Sequence, residues 1–201
     1  MIYDISQRVF GCEVYPGNPS PELTHVHSIE KGDHSNLTAI FMCTHNGTHA
    51  DAPRHFLTHG KSIDEVDIRR FVGWAYVHTH NGTVTARDAR EIVKNAALER
   101  EGTQKKILFR GEAVVSVEAA RLFADEGVEL LGCEAQTFGP NNARGEVHRI
   151  LLEAETVLLE GIRLSEVADG AYFLNCAPLN LNGAEGAPCR AILLDSSEML
   201  N

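Results

Sequence analysis

Short apolar runs bounded by turn residues divide this chain into its elements. The first 45 residues carry such runs broken by Pro16, Pro19 and Pro21, which predicts short strands and turns. One of these strands is expected over Leu37 to Thr44. Further strands are expected at Trp74 to Thr79, at Lys106 to Arg110 and at Val128 to Cys133. Between them lie stretches with helix-capping residues. Thr85 caps a helix running to about Arg100, with Asp88 three residues on as its partner in a capping box. Ser116 caps a second helix, which Gly127 ends. A Gly-Pro-Asn loop precedes a third helix around Glu146 to Ala154. Closing strands are expected near Thr156–Leu159, Ala171–Cys176 and Arg190–Leu194. Strands alternating with helices in the middle, with strand-rich ends, indicate an α/β fold. No linker or low-complexity segment interrupts the pattern. A chain of 201 residues is most simply a single domain, long enough to bury a sizeable core.

One stretch does not fit a packing role. His45-Asn46-Gly47-Thr48-His49-Ala50-Asp51-Ala52-Pro53-Arg54-His55 holds three histidines and an aspartate in eleven residues. Imidazole nitrogen and carboxylate oxygen are the ligands that zinc, manganese or iron takes. His45 and His49 have the i, i+4 spacing of a helical metal pair, but Asn46-Gly47 is a turn dipeptide and Pro53 closes the window, so a helix is not expected. All four groups occupy odd positions, which a flat strand would set on one face. That strand would also hold His45 and His49 roughly 13 Å apart, at about 3.3 Å per residue. One ion can take both only if the chain bends, and Asn46-Gly47 is where it can. The motif Thr79-His80-Asn81-Gly82-Thr83 repeats Thr44-His45-Asn46-Gly47-Thr48 letter for letter, without the following His and Asp. It reads as a plain strand-ending turn, with His78 and His80 as non-ligands. His25, His27 and His34 are expected at the surface or a pocket edge.

Composition narrows the function classes. With 28 carboxylates against 18 Lys plus Arg and a net charge of −10, nucleic acid and anionic membrane surfaces are not expected as partners. No apolar run approaches the roughly 20 residues of a membrane span, and no signal-peptide pattern opens the chain, so a cytoplasmic location is expected. The five cysteines are widely spaced and form no Cys-x-x-Cys motif, which predicts reduced, buried thiols. The chain has no Gly-x-Ser-x-Gly elbow for a serine nucleophile.

His45-x-Gly47-Thr48-His49-x-Asp51-x-Pro53-x-His55 resembles the signature of the metal-dependent hydrolases called the cyclase family, which includes bacterial kynurenine formamidase and isatin hydrolase. Tyr3-Asp4-Ile5-Ser6 and Tyr15-Pro16-Gly17 look like the family's opening. Ala177-Pro178-Leu179 and Gly186-Ala187-Pro188-Cys189-Arg190-Ala191 look like its closing segment. His148-Arg149-Ile150-Leu151-Leu152 resembles its second histidine motif, and Glu160 lies where the family has a further carboxylate ligand. The resemblance implies a swivelling β/β/α arrangement, with a mixed central sheet and flanking helices. It implies two divalent ions, zinc or manganese. His45, His49 and Asp51 would hold the first, and Asp51 would bridge to a second completed by His148 and Glu160. His55 would stand beside them as the catalytic proton-transfer group. A homodimer or homotetramer acting on a small molecule is implied as well. On the residues alone, His148 reads as an ordinary helix-start histidine and Glu160 as a solvated carboxylate ending a strand.

Such a site suits hydrolysis of a small amide, formamide or cyclic amide, because paired ions acidify a shared water to a metal-activated hydroxide while a histidine protonates the leaving nitrogen. Two alternatives stay open: a lyase, dehydratase or cyclase acting on a small hydroxy acid at the same site, and a non-catalytic metal-binding protein. The family's usual Asp and, three residues later, Ser are replaced here by Glu134 and Thr137. That change bears on the substrate, not on the metal set.

Overall fold

The computed structural model describes residues 1–195. In chain order the strands are β1 (Ile2–Asp4), β2 (Glu22–His27), β3 (Leu37–Phe41), β4 (His49–Asp51), β5 (Val72–Thr79), β6 (Gly82–Val84), β7 (Lys106–Arg110), β8 (Ala113–Val115), β9 (Leu130–Cys133), β10 (Val157–Glu160), β11 (Gly170–Asn175), β12 (Gly186–Pro188) and β13 (Ile192–Leu194). The helices are α1 (Ala86–Glu99), α2 (Val117–Asp125) and α3 (Arg144–Glu153). Nine strands form one curled, half-barrel sheet in the order β1-β13-β11-β5-β7-β9-β10-β4-β12. Its centre, β5-β7-β9-β10, is parallel, and both flanks are antiparallel, so the sheet is mixed as expected. Two ribbons stand apart from it, β2 with β3 and β6 with β8.

The central strands are buried on both faces, and their alternation divides the apolar interior in two. Ile107, Phe109, Leu131 and Leu158 turn to one core, and Leu108, Leu130, Val157 and Leu159 to the other. The first core is where the helices pack, through Ala89, Ile92 and Val93 of α1, Phe123 of α2, and Val147, Leu151 and Leu152 of α3. The caps read from sequence, a capping box at Thr85 and a single cap at Ser116, explain where the first two helices begin. The Thr85 hydroxyl accepts from the Asp88 N–H at 3.2 Å, while the Asp88 carboxylate accepts from the Thr85 N–H at 2.9 Å. The Ser116 hydroxyl accepts from the Ala119 N–H at 3.1 Å. Gly127, at φ +65°, follows the end of α2.

Two expectations need correction. The strand from Leu37 stops at Phe41 instead of reaching Thr44, because β3 pairs only with β2 and every residue of both strands is exposed. The chain then turns at Cys43–Asn46, where the Asn46 side-chain oxygen accepts from the Cys43 N–H at 2.8 Å. Only Cys133 and Cys176 are buried thiols, while Cys12, Cys43 and Cys189 are half-buried; all five are unpaired. Sequence pattern also missed β4, β6, β8 and β12. Each has three residues, too few to show a period. Among the described residues no helix is long and apolar enough to cross a membrane.

Candidate metal centre

The centre grows from a bend and two strand pairings. Gly47 takes φ +70°, a left-handed conformation in which a side chain would be strained. The bend sets the rings of His45 and His49 with centroids 5.0 Å apart. β4 then carries His49 and Asp51 on one face, and its pairing with β10 puts His49 opposite Glu160. α3 delivers His148 from the buried stripe that also holds Val147, Leu151 and Leu152. Glu160, expected as a solvated carboxylate from its residue context, is only 3 % exposed.

Asp51 stands between two groups. Its Oδ1 lies 2.9 Å from His45 Nδ1 and 3.5 Å from His49 Nε2, and its Oδ2 lies 4.0 Å from His148 Nε2. Glu160 reaches His148 Nε2 with Oε1 and His49 Nε2 with Oε2, each at 3.3 Å. His45, His49 and Asp51 each offer a ligand atom within 4.8 Å of the others', and so do Asp51, His148 and Glu160. Outer contacts orient the rings. His49 Nδ1 is 3.0 Å from the Gly47 carbonyl, and His148 Nδ1 is 2.8 Å from the Arg144 carbonyl. A carbonyl only accepts, so each Nδ1 carries a hydrogen and each Nε2 faces the centre, where a metal would take the place of any proton on it. His45 is reversed. Its Nε2 lies 3.2 Å from Glu185 Oε1, which also accepts from the Thr44 hydroxyl at 2.6 Å, leaving Nδ1 for the centre.

These residues fit a metal. His49 Nε2 and Asp51 Oδ2 are buried without a hydrogen-bond partner, a costly state that a cation among them relieves. The electrostatics agree. Burial opposes protonation of His45, His49 and His148, yet nearby carboxylates outweigh it, Asp51 and Glu185 at His45 and Asp51 and Glu160 at the other two, and raise all three, His49 to about 9. Burial works against the Asp51 charge too, but His45 and His49 hold its carboxyl well below the usual carboxylate range. The cluster is built to hold positive charge, and its nitrogen and oxygen donors suit zinc, manganese or iron.

His55 differs. Its Nε2 is 3.9 Å from Asp51 Oδ2 and its ring centroid 4.2 Å from that of His45, yet it belongs to neither ligand group. Burial pushes its ring down, with His45 and His148 acting in the same direction against Asp51. The single-turn helix Pro53–His55 positions it, with proline at the first helical position. A cavity of about 290 Å³ opens over the centre, lined by residues that include Tyr15, His45, His55, Phe56, Thr137 and Arg144.

Residues 3–140 match the family described as "Putative cyclase". The chain belongs to the cyclase family. The matched segment contains His45, His49, Asp51 and His55 and ends before His148 and Glu160. A kynurenine formamidase of Salinibacter ruber is 31% identical over 215 residues, covering 98% of this chain and 99% of that protein. A solved structure described as a potential metal-dependent hydrolase with cyclase activity has a TM-score of 0.79 at 26% identity, covering 96% of each chain. Isatin hydrolase A from Ralstonia solanacearum shares the fold at a TM-score of 0.82 and 18% identity, covering 97% of this chain and 92% of that one.

All six residues singled out from this family's pattern meet at one point: His45, His49, Asp51, His55, His148 and Glu160. His25, His27, His34 and His59 are exposed, and His78 and His80 belong to neither ligand group. Of the two departures, Thr137 lines the cavity, whereas Glu134 is structural. Its Oε2 accepts from the Gly111 N–H at 2.7 Å and its Oε1 from the Leu164 N–H at 2.9 Å, so it ties two loops together. Sequence reading missed Glu185, which β12 brings to His45 by pairing with β4, and Arg144 in the cavity wall. The signal for Glu185 was its position directly before the Gly186-Ala187-Pro188 motif.

Proposed function

We propose that this chain is a metal-dependent hydrolase of a small amide, formamide or cyclic amide. The observation that carries this reading is Asp51, whose two oxygens face separate ligand groups while an uncoordinated histidine stands 3.9 Å from one of them. A store or structural site has no use for that histidine. His45, His49 and Asp51 would hold one divalent ion, and Asp51, His148 and Glu160 a second, zinc or manganese in each case. Bound there, such ions supply Lewis-acid polarisation of a carbonyl and acidify water. Nδ1–H bonds to the Gly47 and Arg144 carbonyls keep His49 and His148 from rotating out of place. His55 moves the proton. Burial lowers its basicity, which favours the neutral ring that accepts a proton, and it then returns the proton to the leaving nitrogen. Phe56 stands edge-on to His55 at 4.7 Å between centroids and lines the same cavity. Kinship with kynurenine formamidase at 31% identity supports the choice of a carbon–nitrogen bond.

The test is a hydrolysis screen of the zinc- or manganese-loaded protein on N-formylkynurenine, isatin and simple cyclic amides, run beside His55→Ala. The variant is expected to retain its ions and to lose activity by about 100-fold or more, the scale of a general acid–base contribution. Loss of the ions in His55→Ala would overturn the division of roles. Water elimination from a hydroxy acid, with no amide cleaved, would replace the hydrolase reading with a lyase.

A further inference from the structure

The cavity over the centre holds a charge that proton transfer leaves unused. Arg144, the first residue of α3, lines the wall beside His148. Its Nη1 donates to the Tyr15 hydroxyl at 3.2 Å and its Nη2 to Asn141 Oδ1, and both acceptors are neutral. Its Nε is buried with no hydrogen-bond partner. Among the described arginines it alone has a buried side-chain nitrogen without a partner, whereas Arg54, Arg69, Arg70, Arg110, Arg121 and Arg190 each pair with a carboxylate. A larger cleft of about 600 Å³ elsewhere makes the contrast plain. There Lys61 and Arg70 share Glu155, Arg69 takes Asp67 and Lys106 takes Glu129, so its cations are already neutralised.

A guanidinium carries five N–H donors in a planar fork that matches a carboxylate. Arg144 commits two groups to neutral acceptors and keeps its charge uncompensated beside the reactive centre. The Tyr15 hydroxyl accepts from it and retains its own hydrogen to donate. Helix α3 also begins at Ala143 without a side-chain cap, so its positive end adds the same sign. We infer that Arg144 is a specificity-determining residue, selecting substrates that carry a carboxylate beside the bond to be cleaved. The cavity of about 290 Å³ has room for small acids of this kind, such as a single ring bearing the acid group and the amide. The identity of the cleaved bond rests on the hydrolase reading above; recognition of the carboxylate does not.

Two measurements separate those claims. The first compares kcat/KM of the metal-loaded enzyme on N-formylanthranilate and on formanilide, its neutral counterpart. The wild type is expected to prefer the acid. Arg144→Gln should reduce that preference by about 10- to 100-fold, the size of a lost hydrogen bond to a charged group, mainly through KM. Arg144→Lys should recover part of it, because the charge returns. Equal losses on both probes, or an unchanged preference, would overturn the inference by making Arg144 structural or idle. The second measurement is calorimetric binding of anthranilate, which needs no turnover. Binding at least about tenfold tighter in the wild type than in Arg144→Gln supports the inference, again on the scale of one charged hydrogen bond. Equal binding, or none to the wild type, refutes it. If neither formyl probe is cleaved while the binding difference persists, the hydrolase reading fails and the carboxylate site stands.

Discussion

At the scale of single residues, the centre depends on side chains that do not touch the reacting atoms. Glu185 is the clearest case. It sits between the Thr44 hydroxyl and His45 Nε2, at 2.6 and 3.2 Å, and so decides which nitrogen of His45 faces Asp51. Outer carboxylates of this kind set the tautomer and basicity of a ligating imidazole. Glu185→Gln keeps the shape but loses the charge, and should weaken metal binding by about 10- to 100-fold. Titration with zinc against a competing chelator measures this, and unchanged affinity would mean that Asp51 alone orients the ring. Legibility at this scale was uneven. His45, His49 and Asp51 could be read from a local motif because neighbours in sequence share one bend. Glu185 lies 140 positions from His45, and no local pattern announces such a pair.

At the scale of elements, the turn carrying His55 is the sensitive part. Gly60 passes so close beneath it that an added Cβ would lie 2.5 Å from the Pro53 carbonyl carbon and 2.6 Å from the Arg54 nitrogen. Both are backbone atoms, so Gly60→Ala must displace the Pro53–His55 turn. A destabilisation of roughly 1–3 kcal/mol is expected from such overpacking, with a fall in kcat/KM and metal content retained. The N-cap of α1 provides the control. Thr85→Ala removes one cap and should cost about 1 kcal/mol without altering kcat/KM, since α1 supplies no residue to the centre. Denaturant titration read beside activity distinguishes the two variants. The caps were legible because Thr85-x-x-Asp88 and Ser116 act within a single turn. The strand β4 was not, because its three residues become a strand only by pairing with β10 and β12.

At the scale of the whole molecule, the centre is a joint. It gathers the bend after β3, the strands β4 and β10, and helix α3, and it leaves Asp51 and Glu160 buried beneath them. Stripping the metal should therefore lower thermal stability. An ion present at 100 times its Kd contributes about 2.7 kcal/mol, which corresponds to roughly 5–10 °C in Tm for a chain of this size. A melt unaffected by a strong chelator would contradict the proposed sites. By itself the sequence determined what acts locally: the α/β alternation, two helix starts, the bend at Gly47, and the clustering of His45, His49 and Asp51. Family resemblance added His148 and Glu160, which on their own read as unremarkable. Only the tertiary structure decided that Glu160 is buried, that Glu134 ties loops together, that Glu185 orients His45, and that Arg144 faces the cavity without a carboxylate. The reason is physical. A cap or a turn is satisfied by atoms a few residues away, whereas burial, charge pairing and ring orientation depend on strands and helices that meet only when the sheet closes.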